Sequence, residues 1–223
     1  MNGGEELLSR RLASLYEFVL SHLPSPPARV LEVGCGVGEL AVALARADYS
    51  VTAVDPEAPR GTIFRRTLIE NFSDNVPFDA VVSSVSLHHV EDVTVVLDKI
   101  ESLLRHGGLL VLEEFAKERL AGTTARWYYH QRQALAAVAI DETPIPDDFE
   151  AWLRRWQADH ADIHPLAELR AEIDRRFTQH FIGWVPYLFD YWLTDALEPL
   201  ERELIESGAI DATGFRYVGE RQG

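Results

Sequence analysis

The sequence predicts an α/β fold with a seven-stranded, mostly parallel sheet and helices on both of its faces. Three observations predict it. Short apolar strands alternate with amphipathic helices over residues 29–115, which is the order that builds a parallel sheet. Glycine recurs directly after the first of these strands. Residues 116–176 then carry three successive helical patterns, so we expect a helical insertion after the fifth strand.

The predicted strands of the core are short and apolar, as are strands that a parallel sheet buries on both faces. They occupy residues 29–34, 50–55, 63–68, 78–87 and 109–115. Helices are predicted at 5–23, 39–48 and 90–105, and we expect the glycines of "HGG" at 106–108 to end the third of them. Helical patterns near 122–138, 147–160 and 165–176 form the insertion, and two further strands, at 177–184 and 214–221, enclose a helix at 195–207.

These elements predict a single domain over residues 1–223. Its parts are an N-terminal helical segment, a ligand-binding core, a helical insertion and a C-terminal pair of strands with their helix. Their predicted bounds are 1–28, 29–115, 116–176 and 177–223. Since the insertion leaves the carboxyl edge of the sheet, where ligands bind in such folds, we expect it to act as a lid.

Composition excludes several classes of partner. The chain has 36 acidic and 21 basic residues and a formal net charge of −15. Such a surface repels nucleic-acid phosphates and anionic membranes. A single cysteine allows no disulfide within the chain. The first residues lack a signal-peptide pattern, and no long apolar run follows, so we expect a cytoplasmic protein without membrane association.

The stretch "VLEVGCGVGEL" at residues 30–40 places three glycines after a buried strand. A turn of this kind lets a ligand lie against bare backbone amides. A dinucleotide fingerprint would need glycine where Glu39 stands, and an acid there would repel a pyrophosphate. With Glu32 before the turn, the pattern favours a ligand that carries a cationic amino group.

At this point the sequence resembles the class I S-adenosylmethionine-dependent methyltransferases of small molecules, which have a Rossmann-like fold. The glycine turn is similar to the first motif of that family. Asp55, at the end of the second strand, matches the acid that accepts hydrogen bonds from the ribose hydroxyls. "FDAVVSSVSLHHV" at 78–90 and "LLRHGGLLVLEEF" at 103–115 match the motifs of the fourth and fifth strands.

The resemblance implies S-adenosyl-L-methionine as the cofactor and no metal. It assigns the cofactor contacts to Glu32, Gly34, Cys35, Gly36, Gly38, Asp55, Pro56, Leu68 and Ser84. Cys35 is interpreted as a small residue that fills space, not as a nucleophile. Near the adenine, Thr67 and Leu68 occupy the position where family members often carry an acid, and Glu70 is the nearest carboxylate.

Two histidines follow the fourth strand. By resemblance, His88 faces the acceptor pocket as the candidate catalytic base, and His89 packs structurally. The alternative is that His88 only shapes the pocket. Glu113 and Glu114 end the fifth strand, and strand alternation sends one toward the pocket and the other away.

All five tryptophans lie between residues 116 and 192. An aromatic lid would suit an apolar or planar acceptor. His160 and His164 have the spacing of a helical metal pair, but Ala161 replaces the glutamate of the zinc motif and Pro165 ends the helix. We therefore predict no metal site.

The sequence thus predicts methyl transfer to a small-molecule acceptor by in-line displacement. One alternative is a non-catalytic S-adenosylmethionine-binding partner or regulator, and another is a nicotinamide oxidoreductase. The acceptor, the methylated atom and the oligomeric state are left open, with a homodimer as one alternative.

Overall fold

The computed structural model describes residues 9–138, 140 and 144–222. Within these residues the chain forms seven α-helices and one seven-stranded sheet. The helices are α1 Arg10–His22, α2 Glu39–Arg46, α3 Val93–Leu103, α4 Gly122–Ala137, α5 Phe149–Asp159, α6 Leu166–Asp174 and α7 Glu198–Glu206. The strands are β1 Arg29–Val33, β2 Ser50–Asp55, β3 Phe64–Arg66, β4 Phe78–Ser84, β5 Leu104–Phe115, β6 Phe177–Val185 and β7 Gly214–Arg221.

The strands run in the order β3-β2-β1-β4-β5-β7-β6. All pairs among the first five strands are parallel, and β7 is antiparallel to both β5 and β6. This confirms the predicted seven-stranded, mostly parallel sheet. The strand order reverses between β1 and β4, and in open α/β sheets the ligand crevice lies at the carboxyl edge of such a reversal.

Apolar side chains cover both faces of the sheet. On one face, α3 and α6 bury residues such as Leu97, Ile100 and Ile173 against the strands. On the other face, α1 and α2 bury residues such as Leu15 and Leu44. Because these helices pack on the faces of the sheet, the carboxyl edge of the strands is available for other contacts.

The insertion has its own core beyond that edge. Its buried aromatic residues come from α4 and α5, from the end of β5 and from the segment after β6. The three predicted helices of the insertion are present as α4, α5 and α6. In the described part of the chain, no helix is long and apolar enough to cross a membrane.

The structure corrects several predicted boundaries. The first helix begins at Arg10, and the predicted residues 5–8 lie outside the described residues. The third strand is only three residues long. "HGG" does not end α3, because α3 stops at Leu103 and β5 begins at once. The three residues instead lie within β5, where its register with β4 shifts between Phe78 and Ala80.

Candidate functional site

A cleft of about 600 Å³ opens at the carboxyl ends of β1, β2 and β4. Its wall is formed by the glycine turn after β1, the end of β2, the segment after β3 and the turn after β4. This is the edge at which the strand order reverses. The predicted contacts Gly34, Gly36, Asp55, Pro56 and Leu68 all line it.

The glycine turn needs its glycines for two different reasons. Gly34, Gly36 and Gly38 all have positive φ, at 73°, 49° and 84°, a region that L side chains rarely adopt. At Gly34 the turn also touches the neighbouring loop, because a β-carbon would lie 2.3 Å from Cβ of Ser86. At Gly36 a β-carbon would meet nothing within 4 Å, so this backbone borders open space. Gly36 is therefore where a ligand can lie against the bare main chain.

Asp55 fastens this turn. Its Oδ2 accepts a hydrogen bond from the Gly36 amide at 3.0 Å, and its Oδ1 accepts one from the Glu57 amide at 2.7 Å. Each carboxylate oxygen has a further lone pair for a ligand hydroxyl. The acid at the end of β2 is thus held in one orientation beside the glycine turn.

Glu32 is a buried acid beneath the turn. Its side chain is 4% exposed, and Oε2 has no hydrogen-bond partner. Burial raises the pKa of Glu32 to about 8, a backbone hydrogen bond from Ala41 opposes the rise, and Asp55 adds to it. A carboxyl group with an orphaned buried oxygen stabilises a cation placed beside it.

Four predicted contacts are not part of the cleft wall: Glu32, which lies buried beneath the turn, and Cys35, Gly38 and Ser84. The thiol of Cys35 packs in the apolar core between the sheet and α2, where burial raises its pKa to about 12. This environment keeps it protonated and inert. Ser84 is not part of the cleft wall, and its hydroxyl accepts a hydrogen bond from Arg11 at 3.1 Å. Gly38 is the N-cap residue of α2 and lies against the ring of Phe64.

The segment after β3 brings two more polar residues to the cleft. Thr67 and Glu70 line it beside Leu68. Oε2 of Glu70 is buried and has no hydrogen-bond partner. An unpartnered acceptor on this wall suits a ligand amino group.

The two histidines after β4 have exchanged their expected places. His88 is 3% exposed, and its Nδ1 lies 2.5 Å from Oε2 of Glu114. His89 is exposed and lines the cleft. The cause is the turn itself: Val85 has a φ of +51° and a short 3₁₀ helix follows it, so the strand alternation does not continue to the histidines. The expectation that His88 faces the pocket and His89 packs structurally is wrong.

Both acids at the end of β5 are buried, on opposite faces as alternation predicts, and neither lines the cleft. Oε1 of Glu114 accepts hydrogen bonds from the amides of Ser86 and Leu87 at 3.0 and 2.7 Å. Its two oxygens therefore fix the turn after β4. Positive φ at a β-branched residue such as Val85 is strained, and these bonds hold the strained turn in place.

Glu113 joins α1 to the sheet. Its Oε1 accepts from Arg11 at 2.7 Å, and its Oε2 accepts from Arg216 of β7 at 2.7 Å. Arg11 also donates to Asp190 at 2.7 Å. The first turn of α1 is thus fixed near the carboxyl end of β5 by ion pairs in which Glu113 is buried and Arg11 and Asp190 are partly exposed.

His160 and His164 have separate partners. Nε2 of His160 lies 2.5 Å from the hydroxyl of Tyr191, and Nε2 of His164 lies 2.8 Å from the Val90 carbonyl. In the residues that the structure describes, no three histidine, cysteine or acidic side chains are grouped as metal ligands would be.

With this geometry established, comparison with known proteins decides the family. Residues 5–173 match the model of a methyltransferase domain family. The chain belongs to this methyltransferase family. Membership confirms the predicted class of protein, and S-adenosyl-L-methionine is its cofactor.

The curated relatives of this methyltransferase domain cover it in part. An uncharacterized methyltransferase of Mycobacterium tuberculosis is 38% identical over 106 residues, which are 41% of this chain and 52% of the relative. The chain therefore spans about half the length of the mycobacterial relatives that it matches. A ubiquinone biosynthesis O-methyltransferase of Xanthomonas campestris is 28% identical over 174 residues, covering 66% of this chain and 69% of that enzyme.

Solved methyltransferase structures share the fold over nearly the whole chain. The geranyl diphosphate C-methyltransferase of Streptomyces coelicolor, crystallised with S-adenosyl-L-homocysteine, aligns with 99% of this chain and 86% of its own at a TM-score of 0.57 and 15% identity. The N-methyltransferase NodS of Bradyrhizobium japonicum covers 96% of this chain and 86% of its own, with a TM-score of 0.55 and 16% identity.

Sequence reasoning missed Val85 as a residue of the cleft wall, placed His89 wrongly, and missed the ion pair of Arg11 outside the cleft. Val85 and His89 line the cleft because the turn after β4 has a strained backbone. No sequence pattern predicts such a turn. Arg11 lies on the polar side of an amphipathic helix, and nothing in the sequence distinguishes it from a solvated surface arginine. Its pairing with Glu113, 102 positions away, exists only in the folded chain.

Proposed function

We propose that the protein transfers a methyl group from S-adenosyl-L-methionine to a small-molecule acceptor. The observation that carries the proposal is the pair formed by Gly36 and Glu32. Gly36 offers bare backbone beside open space, and Glu32 offers a buried carboxyl oxygen without a partner. A ligand that lies along a main chain and carries an amino group fits both.

The remaining polar groups of the cleft fit the rest of the cofactor. The fixed carboxylate of Asp55 would accept hydrogen bonds from the ribose hydroxyls. Leu68 would pack on the adenine, and the unpartnered oxygen of Glu70 would accept from its amino group. In this arrangement Cys35 and Ser84 make no side-chain contact with the cofactor, whereas Thr67 and Glu70 do.

The bound cofactor supplies a methyl group on a positively charged sulfur. The chain's part is to hold the acceptor atom in line with that methyl and to keep water out. When the acceptor is an O–H or N–H group, its lone pair bonds to the methyl carbon, the C–S electrons return to sulfur, and the acceptor proton leaves. His89 lines the cleft and can take that proton, while buried His88 positions the turn that carries it.

A small-molecule acceptor is supported by the relatives' own substrates. The solved neighbours include a C-methyltransferase that acts on geranyl diphosphate and an N1-methyltransferase crystallised with 1,6-didemethyltoxoflavin. In this chain the insertion at 116–176 adds an aromatic wall beside the carboxyl edge. We infer that it roofs the acceptor as a lid.

Two measurements test the proposal. Isothermal titration with S-adenosyl-L-homocysteine should give saturable binding to the wild type, weakened about 10- to 100-fold in Asp55→Ala by loss of a charge-assisted hydrogen bond. Glu57→Ala, a neighbouring exposed acid, is the matched control and should bind as the wild type does.

The second measurement follows the methyl group. With [methyl-³H]-S-adenosylmethionine and cell extract, we expect the label in a low-molecular-mass compound that chromatography separates from the cofactor and that does not form without the protein. Label confined to the protein or nucleic-acid fraction would overturn the small-molecule assignment. Cofactor binding without methyl transfer to any fraction would favour the non-catalytic alternative. Saturable binding of NAD, without binding of S-adenosyl-L-homocysteine, would favour the oxidoreductase.

A further inference from the structure

The connection between α5 and α6, residues 160–165, lies against the turn after β4. Its His164 makes the contact twice. The backbone amide of His164 donates to the His88 carbonyl at 2.9 Å, and Nε2 of its ring lies 2.8 Å from the Val90 carbonyl. A carbonyl oxygen only accepts, so Nε2 carries a proton and donates. One residue of the insertion therefore holds the carbonyls on both sides of His89.

The ring of His164 is itself fixed. Its Nδ1 lies 3.2 Å from Oε1 of Glu168, in the first turn of α6, and its side chain is 18% exposed. Both ring nitrogens therefore have a partner, one in the turn after β4 and one in α6. A ring held at both nitrogens has a single orientation, so its bond to the Val90 carbonyl is fixed in direction.

The α5–α6 connection is also anchored at the end of β5. Nζ of Lys117, in the segment directly after β5, donates to the carbonyls of His160 and Ile163. The side chain of Ile163 is buried in the core of the insertion. The position of His164 is therefore set by the insertion and by β5, and not only by the turn that it contacts.

Two elements thus fix the turn after β4, and each binds a different kind of backbone group. Glu114 of β5 accepts from two amides at the start of the turn, whereas His164 donates to two carbonyls at its end. His89 lies between those two carbonyls and lines the cleft, as do Val90 and Glu91 after it. The end of the turn that borders the cofactor cleft therefore depends on the insertion for its position.

From these contacts we propose that His164 is a positioning residue of the methyl-transfer site. It acts through His89: by holding the backbone on both sides of that residue, it keeps the imidazole at the cleft wall. The packing that places the insertion then also sets the position of the proton acceptor. The inference rests on the proposed function for the role of His89, whereas the placement of His89 by His164 is independent of the reaction.

Nuclear magnetic resonance of the His89 ring tests the placement without a substrate. In protein with ¹³C-labelled histidine, the His89 signal is identified by its absence from His89→Ala. Partial burial is the main cause that lowers the pKa of His89 below 6.5. Since His164→Ala frees the end of the turn, we expect the His89 signal to shift and its pKa to rise toward 6.5. If His164→Ala does not fold, His164→Leu, which fills the space but cannot donate, takes its place.

His164→Gln is the conservative variant. Its side-chain amide nitrogen can donate to the Val90 carbonyl from the position of Nε2, but it carries no charge. It should restore the signal and the pKa of His89. Since both variants remove any charge of the imidazole, a difference between them reports the hydrogen bond. The groups that act electrostatically on His89 are present in both variants: His88, Glu114, Asp162 and His160.

Two further variants separate positioning from general stability. Lys117→Met removes the donor to His160 and Ile163, so it loosens the same connection without touching the turn after β4. It should lower the melting temperature and leave the His89 signal in place. His180→Ala removes an exposed histidine of β6 that lies 3.3 Å from Glu220, outside the cleft wall, and should change neither.

Cofactor affinity gives a second measurement. Because Val90 and Glu91 line the cleft, a turn that binding must reorder weakens binding by up to the free energy of the lost hydrogen bond. Titration calorimetry with S-adenosyl-L-homocysteine should therefore show about two- to tenfold weaker binding by His164→Ala. His164→Gln should bind as the wild type does.

The outcomes separate the two proposals. An unchanged His89 signal in His164→Ala, or an equal change in His164→Gln, overturns the positioning role. A change of the same size in Lys117→Met also overturns it, because the whole connection and not His164 would then be responsible. Failure of the wild type to bind S-adenosyl-L-homocysteine contradicts the proposed function instead, and the resonance measurement still decides the placement of His89.

Discussion

Glu114 holds His88: Oε2 of the acid lies 2.5 Å from Nδ1 of the imidazole, and both side chains are buried. The other oxygen of Glu114 accepts from two amides of the turn after β4. One acid at the end of β5 therefore sets the shape of the neighbouring turn. By fixing this turn, Glu114 also places His89 in the cleft.

The first prediction concerns this acid. Glu114→Ala should lower the free energy of unfolding by about 3–5 kcal/mol, since it leaves buried amides and an imidazole without an acceptor. Glu114→Gln keeps one acceptor oxygen and should lose less. Urea unfolding followed by circular dichroism measures both. Glu17→Ala, an exposed acid on α1, is the control, and an equally large loss there would show that the pairing is not the cause.

The second prediction separates two glycines of one turn. Gly34→Ala places a β-carbon 2.3 Å from Cβ of Ser86, so it should destabilise the fold. Gly36→Ala meets no protein atom within 4 Å, and its main cost is the positive φ, about 1 kcal/mol. Gly36→Ala and the larger Gly36→Val should instead weaken binding of S-adenosyl-L-homocysteine, because their side chains occupy the ligand's space.

Thermal unfolding and titration calorimetry of the same samples distinguish these effects. We expect a large fall in melting temperature for Gly34→Ala and a small fall for Gly36→Ala. Cofactor affinity normalised to the folded fraction should drop for the Gly36 variants. Unchanged affinity of Gly36→Val for S-adenosyl-L-homocysteine would show that the ligand does not lie against the Gly36 backbone.

The third prediction concerns protons. In the free protein, burial raises the pKa of Glu32 to about 8, so at pH 7 the carboxyl is mostly protonated. An ammonium group beside it favours the ionised form and lowers the pKa. Binding of S-adenosyl-L-homocysteine at pH 7 should therefore release about one proton, and affinity should rise as the pH increases from 6 toward 8.

Calorimetry in buffers with different ionisation enthalpies measures the proton count directly. Glu32→Gln cannot ionise, so its binding should release no proton from this site and should lose the rise in affinity with pH. Binding by the wild type without proton release would show that the cofactor's amino group does not pair with Glu32.

Sequence patterns predicted the core of this fold well because its signals are local. A buried strand, a glycine turn and an amphipathic helix each occupy adjacent residues, and β1, β2 and β7 were placed within a residue of their ends. Pro56, directly after β2, defined the end of that strand, and the family resemblance assigned the ribose acid to Asp55 at that end. Its hydrogen bond to Gly36 follows once the two strands pair side by side.

What sequence could not predict depends on backbone strain or distant pairing. The resemblance assigned His88 to the pocket, but Val85 has a positive φ, and the turn that follows it places His89 in the cleft wall. Glu114 and His88 are 26 positions apart, and their buried contact specifies the turn only after β4 and β5 pair. The periodicity of apolar residues predicts neither the strained turn nor the long-range contact.

The last prediction tests the exchanged roles of the two histidines. His89 lines the cleft, and partial burial is the main cause that lowers its pKa below the ordinary 6.5. A positive His88 would lower it further, whereas Glu114 and Asp162 raise it and His160 lowers it. His89 is thus neutral at pH 7 and able to accept a proton.

If the acceptor loses a proton during transfer, His89→Ala should lower turnover about 10²–10⁴-fold with little change in cofactor affinity. Turnover by the wild type should stay level at neutral pH and fall only below the ordinary histidine pKa. His88→Ala should instead lower the unfolding free energy, because it leaves the buried Glu114 carboxylate without its partner. Turnover on the true acceptor, measured for both variants across pH 5–8, decides between the roles. A large loss of turnover in His88→Ala at unchanged stability, with normal turnover in His89→Ala, would return the catalytic role to His88.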